Sequence, residues 1–376
     1  MTDGDDTLRM LADAARGFGD FDAKRLRAMR EEPPGYDRTR WRAMAEQGWL
    51  SILIDEADGG LGLGIDAATT IAEELGRAST VEPFVAAGVM VPALLSGLGA
   101  RRIGDDNLAA LLAGEAIAAI AWQSTTGSIE PTDTAVMAKG ANGGYLLTGE
   151  SRFVPVADAD AYFVVGKSGD DLAIFYVPAD TEGLVRQPEP TADGGYLAWL
   201  SFNGVHLPPS ACLADGRNAA DALTRALDLG VLANCAELLG IMDRALEMTL
   251  EYLKVRRQFG QAIGSFQVLQ PRAVDLWMKK QVPRHALDAA IRTATSPDVP
   301  ARARTIAASS AKARAAEVAH LMINECIQLH GAIGYTDEHD LSLYANRVLA
   351  IAPFLGNAAE HLRRYGNLKD QSGVSA

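Results

Sequence analysis

Cysteine is scarce. Only Cys212, Cys235 and Cys326 occur in 376 residues. They lie far apart and show no CxxC or Cys/His ligand spacing, which excludes a disulfide framework and a zinc centre. Each sits in an apolar stretch, where a buried free thiol is expected. Positive charge is also lacking. The formal net charge is −13, so a phosphate backbone would be repelled and nucleic acid is excluded as a partner. A local basic site for an anionic small ligand remains compatible with that total. Long apolar runs are absent too. The longest, Phe84 to Ala100, is interrupted by Gly88, Pro92, Ser96, Gly97 and Gly99. It falls short of the ~18 residues a membrane span needs, so a buried helix is expected. The start, Met1-Thr2-Asp3-Gly4-Asp5-Asp6, is acidic and polar. No secretory leader is expected there, and a cytoplasmic protein is.

What is present is an ordinary globular composition, 48% hydrophobic and 22% charged, long enough for two or three domains. From residue 7 to 115 the chain reads as helical. Ile65, Ala68, Ile71, Ala72 and Leu75 recur at helical spacing, with Gly76 placed to stop that helix. The run Asp58-Gly59-Gly60-Leu61-Gly62-Leu63-Gly64 has the composition of a phosphate loop. Such a loop should follow a strand. This one lies between two helices, which favours a structural turn. Near Glu115 the texture changes to short apolar runs between Gly, Asp and Pro. Tyr145–Glu150, Ala161–Gly166 and Leu172–Val177 read as strands. With no helices between them they predict an antiparallel barrel or sandwich. Beyond residue 216 the pattern is helical again, over 218–257, 267–295 and 300–330. Ile306, Ala313, Val318, Leu321, Met322, Cys326 and Leu329 share one apolar face. With a shorter helix after Asp337 this predicts a four-helix bundle. The fold class is therefore α+β multidomain: helices over 1–115, a β domain over 116–215 and the bundle over 216–376. The stretch Asp370 to Ala376 is expected to be a frayed tail.

Two segments carry a resemblance. The first runs Tyr252-Leu253-Lys254-Val255-Arg256-Arg257-Gln258-Phe259-Gly260 and on through Ile263-Gly264-Ser265-Phe266-Gln267. The second is Gln328-Leu329-His330-Gly331-Ala332-Ile333-Gly334-Tyr335. In this order, after an α–β–α background, they resemble the R-x-x-F-G turn and the Q-x-x-G-G-x-G-[YF] segment of the flavin-dependent acyl-CoA dehydrogenases. Gly48-Trp49, Gly59 to Gly62 and Glu73-Glu74-Leu75-Gly76-Arg77 add weaker support. The resemblance implies FAD as cofactor, with contacts from Arg256, Phe259 and Gln267 and from Gln328, Gly331, Ala332 and Gly356. The chemistry is apt. A guanidinium offers a planar fork of donors to a pyrophosphate. A phenyl ring offers a face to adenine. A glutamine amide both donates and accepts, and a glycine lets backbone approach a ligand. The alternative is that Arg256 pairs with an acid and Phe259 belongs to the core.

The departures from the family pattern concern the chemistry. Members of the family remove the α-proton of an acyl-CoA thioester with a glutamate while the β hydrogen leaves as hydride to the flavin. Many carry that base in a Y-E-G-T segment, which here reads Phe354-Leu355-Gly356-Asn357, with leucine at the base position. Others carry it in an E-R pair early in the bundle, which here reads Gly230-Val231. Glu237 is a further candidate, two helical turns on and about 10 Å along the axis. It competes with the expectation of a buried, hydrogen-bonded glutamate. Asp228 and Glu247 are fainter candidates. The family's T-E-P-x-A-G-S-D segment is matched by the shorter Trp122-Gln123-Ser124-Thr125-Thr126-Gly127-Ser128, without its acid. The later W-[IS]-[TS] segment is matched by Phe153-Val154-Pro155.

In the family, FAD lies across a subunit interface. The elements kept here serve a neighbour's FAD, and those lost serve the subunit's own. The resemblance therefore implies a subunit that acts on acyl-CoA within a homo- or hetero-tetramer, with a paralogue supplying the base. An electron-transfer flavoprotein would be a possible acceptor. Rival expectations are a self-sufficient homotetramer using Glu237, a non-desaturating flavoprotein of the same fold, and a non-enzymatic scaffold.

Overall fold

The computed structural model describes residues 3–31 and 33–370. The first two residues of the acidic start, and residues 371–376 of the expected tail, lie outside the described residues. The chain divides into two compact units. One comprises residues 29–68 and 81–230, the other residues 1–28, 69–80 and 231–376.

Helices α1 (Asp3–Phe18) and α2 (Ala23–Met29) belong to the second unit, α2 but for its last residue. The first unit opens with α3 (Arg38–Glu46), whose N-cap Asp37 side chain accepts from the Thr39 N–H at 2.7 Å. The Gly-rich run is a turn. Leu61, Gly62 and Leu63 donate their amides to Ser51, Ile54 and Ile52. A Cβ on Gly60 would lie 2.0 Å from the Ile54 carbonyl oxygen, so only glycine fits that fold-back. It leads into α4 (Gly64–Arg77). The Phe84–Ala100 run is helical and buried as expected, with π-helical turns over Phe84–Met90, then α5 (Val91–Leu98) and α6 (Asp105–Leu112).

Eight strands follow: β1 (Ala118–Ala121), β2 (Met137–Ala141), β3 (Gly144–Pro155), β4 (Ala161–Ser168), β5 (Asp171–Pro178), β6 (Leu184–Pro190), β7 (Tyr196–Leu207) and β8 (Cys212–Asp215). The order is β6-β7-β3-β2-β4-β5-β8, with β1 also on β4. The expected antiparallel sheet is in fact mixed. Ala118–Ala121 pair in parallel with Ala161–Val164, and Met137 pairs in parallel with Lys167. Strand β4 is buried over Ala161–Gly166. Such a run suits a central strand flanked by parallel neighbours, which closely spaced strands alone do not reveal. The outer strand β6 carries Pro188 and Pro190, which cannot donate to a further strand and so protect the edge.

The second unit is built on α7 (Gly216–Val255) from residue 231 onward, α8 (Leu269–Thr295) and α9 (Ala301–His330). The expected single helix after Asp337 is two, α10 (Leu341–Ile351) and α11 (Ala358–Asp370). Pro353 and the left-handed backbone of Leu355 (φ 59°) and Gly356 (φ 91°) break them apart. Gly76 does not stop α4 but lies inside it. A Cβ there would meet the Glu237 carbonyl oxygen at 2.2 Å, and one on Gly240 would meet that of Glu73 at 1.9 Å. The glycines bring the backbones of α4 and α7 into contact. Cys235 and Cys326 are buried, while Cys212 is half-buried. Among the described residues no helix is long and apolar enough to cross a membrane.

Candidate cofactor and active site

The end of α7 runs into a two-residue hairpin, Arg257–Gln258 against Gln261–Ala262. Its register is closed by the Ile263 amide donating to the Arg256 carbonyl at 2.8 Å. The hairpin turns on Phe259, whose φ of 52° is left-handed. A non-glycine residue there is strained unless its surroundings require it. Its ring is 92% exposed and meets Phe266 edge-on at 6.2 Å. Arg256 and Gln267 are exposed as well. The Arg256 guanidinium has no ion-pair partner among the described residues.

The second motif forms the end of α9 and a 3-10 turn, Gly331–Tyr335. Gln328, Gly331 and Ala332 are exposed, and Tyr335 is 85% exposed. Gly331 has φ 70° with open space where a Cβ would stand, whereas a Cβ on Gly334 would lie 2.7 Å from that of His330. Tyr252 and His330 stack at 4.5 Å, which joins the two motifs. An unpaired guanidinium, an open aromatic face, two free amides and an open glycine fit the pyrophosphate and adenine of a dinucleotide. Gly356 stands apart from these, buried in the α10–α11 turn.

The interior of the bundle is different. Gly230 and Leu355 are buried. Leu355 presents its carbonyl to the His361 Nε2–H at 2.7 Å. Glu237 is ion-paired: Arg347 on α10 donates to its Oε1 from Nη2 at 2.5 Å and from Nε at 3.0 Å. The two side chains are 7% and 13% exposed. Glu247 is held by Arg77 at 2.8 Å, and Asp228 is buried.

Sequence reasoning missed Lys312. It is fully buried, and its ammonium donates to the Asn234 side-chain oxygen and to the Ile351 carbonyl. Burial pushes it down to about 8. Its signal was a lysine at an apolar spacing of α9, among Ala308, Ala311, Ala315 and Ala316.

The β-domain segment, residues 122–128, contains no acid, but Asp133, five residues after Ser128, folds back onto it. The Asp133 carboxylate accepts from the amide and hydroxyl of both Ser124 and Thr125, at 2.8–3.2 Å. Burial would raise this carboxyl, but those bonds outweigh it and hold it below the usual range. The donors of Ser124 and Thr125 are thus taken up by Asp133. Pro155 is buried and has no amide hydrogen to offer. At the β3 bulge Phe153 has φ 56°. Arg152 lies over the rings of Phe153 and Trp199, at 5.3 and 4.0 Å, and pairs with Glu189 at 2.9 Å. This segment fits a flavin ring less well than the outer edge fits the dinucleotide's other half.

Residues 5–115 match the acyl-CoA dehydrogenase N-terminal domain, and residues 220–366 its C-terminal domain. Acyl-CoA dehydrogenase IpdE2 of Mycolicibacterium smegmatis is 31% identical over 90% of both chains. Acyl-CoA dehydrogenase FadE27 of Mycobacterium tuberculosis is 29% identical over 88% of both. Among solved structures, a variant of the Tcur3481–Tcur3483 steroid ACAD superposes with a TM-score of 0.87 at 28% identity, covering 99% of this chain and 100% of that one. The ChsE4–ChsE5 complex from Mycobacterium tuberculosis gives 0.87 at 25% identity, covering 100% and 99%. A bundle with both motifs on one edge, matched along nearly its whole length, places this chain in the acyl-CoA dehydrogenase family of FAD-dependent oxidoreductases.

Proposed function

We propose that this chain is the subunit lacking the base in a hetero-oligomeric acyl-CoA dehydrogenase that desaturates an acyl-CoA thioester between its α and β carbons. FAD, when bound, supplies the hydride acceptor. Arg256, Phe259, Gln267, Gln328, Gly331 and Ala332 would hold the pyrophosphate and adenine of FAD seated mainly on a paralogous partner. The paralogue would supply the carboxylate that takes the α-proton.

One observation carries this reading. The two familiar base positions hold Gly230 and Leu355, and Glu237, the remaining candidate, is tied to Arg347 in a buried ion pair. A carboxylate spending its lone pairs on a guanidinium is poorly placed to receive a proton from carbon. The exposed edge agrees. Helix α8 presents Val274, Trp277, Met278 and Val282 on one side, each at least 50% exposed. An apolar stripe of that kind marks an interaction surface. Two similar structures are described as a Tcur3481–Tcur3483 steroid ACAD and a ChsE4–ChsE5 complex, which supports a paralogous partner and a steroid-derived or fatty acyl chain.

The test is turnover and flavin content of the purified chain, alone and co-expressed with a candidate paralogue, against short, long and steroidal CoA thioesters. Turnover appearing only in the pair is expected. Turnover by the chain alone that vanishes in Glu237→Gln would overturn the proposal in favour of a homomeric enzyme. A flavin-free pair without activity would leave a scaffold.

A further inference from the structure

Behind the exposed Gly331–Tyr335 turn lies an aromatic cluster that the proposed function does not use. His330 stacks on Tyr252 at 4.5 Å and meets His339 at 4.6 Å between ring centroids. His339 also meets Tyr252 edge-on at 6.1 Å. The three side chains come from α7, the end of α9 and the start of α10, so they bracket the turn.

The hydrogen bonds define the protonation each ring needs. The Nδ1 of His330 faces the Cys326 carbonyl at 2.8 Å. A carbonyl only accepts, so Nδ1 carries the hydrogen and Nε2 is a lone pair. That Nε2 is buried with no partner. His339 works the other way round. Its Nδ1 accepts the Leu341 amide at 3.1 Å, capping the first turn of α10, so its hydrogen sits on Nε2.

We propose that Tyr252, His330 and His339 are positioning residues for the Gly331–Tyr335 turn, and that they hold it only while both imidazoles are neutral. This rests on the reading of that edge as a cofactor-facing surface. Protonating His330 places an N–H at a buried atom with no acceptor. Protonating His339 removes the lone pair that caps α10 and sets two like charges side by side. The groups facing the rings do not offset this. Among the described residues, α7 contributes the phenol of Tyr252 and α9 the Cys326 carbonyl. Asp340, at the start of α10, and Asp337 in the turn are both engaged by Arg27 of α2, at 2.9 and 3.5 Å. Burial holds both imidazoles below the ordinary histidine value. A group whose folded value is depressed in this way binds protons preferentially in the open form. Stability of the turn is therefore full above an ordinary histidine value of about 6.5 and is lost as pH falls below it.

The experiment uses the co-expressed complex and follows two readouts from pH 7.5 to 5.5. The first is hydrogen exchange at the Leu341 amide, corrected for intrinsic exchange. Its protection should fall about tenfold per pH unit for each ring that protonates in the open form. The second is flavin retention after gel filtration, which should fall in parallel. His339→Asn keeps an acceptor without a titrating ring, and His330→Phe keeps the stack without the buried nitrogen. Both should flatten the two profiles. Superimposable profiles in parent and variants would overturn the proposal. Arg256→Ala at pH 7.5 separates the two ideas. If it retains flavin, the cofactor reading of the edge fails, while the exchange profile still decides whether the histidines hold the turn.

Discussion

Two regions of the same bundle treat their polar residues in opposite ways. In the interior of α7, Glu237 is paired with Arg347 and the Asn234 side-chain oxygen accepts from Lys312, while Glu247 nearer the surface pairs with Arg77. Along the outer edge, Arg256, Phe259, Gln267, Gln328 and Tyr335 are exposed, and the Arg256 guanidinium has no ion-pair partner among the described residues. Burial makes unpaired polar atoms costly, so a buried carboxylate and a buried lysine are each held by a partner from another helix. An edge that meets an outside ligand or subunit does not need such partners. On the proposed reading, the difference separates a region kept for stability from one kept for binding.

The sharpest way to break that comparison is to unpair the interior. Arg347→Met leaves the Glu237 carboxylate buried without its cation, a change that commonly costs about 3–5 kcal/mol. A melting temperature lowered by several degrees is expected, with flavin retention of the assembled complex unaffected at temperatures where the chain is folded. A melting temperature unchanged within a degree would show that the pair is not stabilising the interior.

The edge should respond in reverse. On the proposed reading Arg256→Ala would remove a charge-assisted contact to phosphate, expected to weaken flavin retention of the assembled complex by roughly 10–100-fold. The melting temperature of the isolated chain should hardly move, because the side chain is exposed and unpaired. Flavin absorbance after gel filtration, with a thermal scan of the same sample, checks both. A matching loss in the two would make Arg256 structural.

Lys312 sharpens the interior half. Its folded value of about 8 lies below the ordinary 10.5. Between those values the unfolded chain holds the proton and the folded chain does not, so this residue contributes stability that rises with pH across that window. The difference in unfolding free energy between the parent and Lys312→Met should therefore shift in the parent's favour from pH 8 to 10.5. Denaturant titrations at a series of pH values would show it. A constant difference would mean that Lys312 titrates normally.

These contrasts explain what was legible beforehand. The long helices and strands β3 to β5 were readable because their periodicity is local. The parallel pairing of β1 and β2 on β4 was not, since nothing in Ala118–Ala121 specifies a partner beyond residue 160. Gly76 read as a helix stop because punctuation in a sequence looks the same as close packing; only the Glu237 carbonyl 2.2 Å from its missing Cβ distinguishes them. The edge motifs were visible because spacing carries them. Asp133 escaped notice because its four hydrogen bonds reach back across a loop. The Glu237–Arg347 pair was invisible because it joins residues from α7 and α10.

The smallest effect expected is also the most informative. In the assembled complex, Glu237→Gln should change turnover by less than a factor of about ten, whereas losing a true general base commonly removes about 10²–10⁴. The substitution keeps the shape of the side chain and removes its charge. Arg347 is then left facing a neutral amide in a site where both partners are nearly buried, so some loss of stability will accompany it. For that reason the comparison should be made per folded molecule, with Arg347→Met as the companion. If Glu237 serves only the pair, the two variants lose stability together and keep the complex's kcat. If Glu237 were the base, Glu237→Gln would abolish turnover, while Arg347→Met, which keeps the carboxylate, would not. A difference of that kind would turn the interior of α7 from a structural core into the catalytic centre.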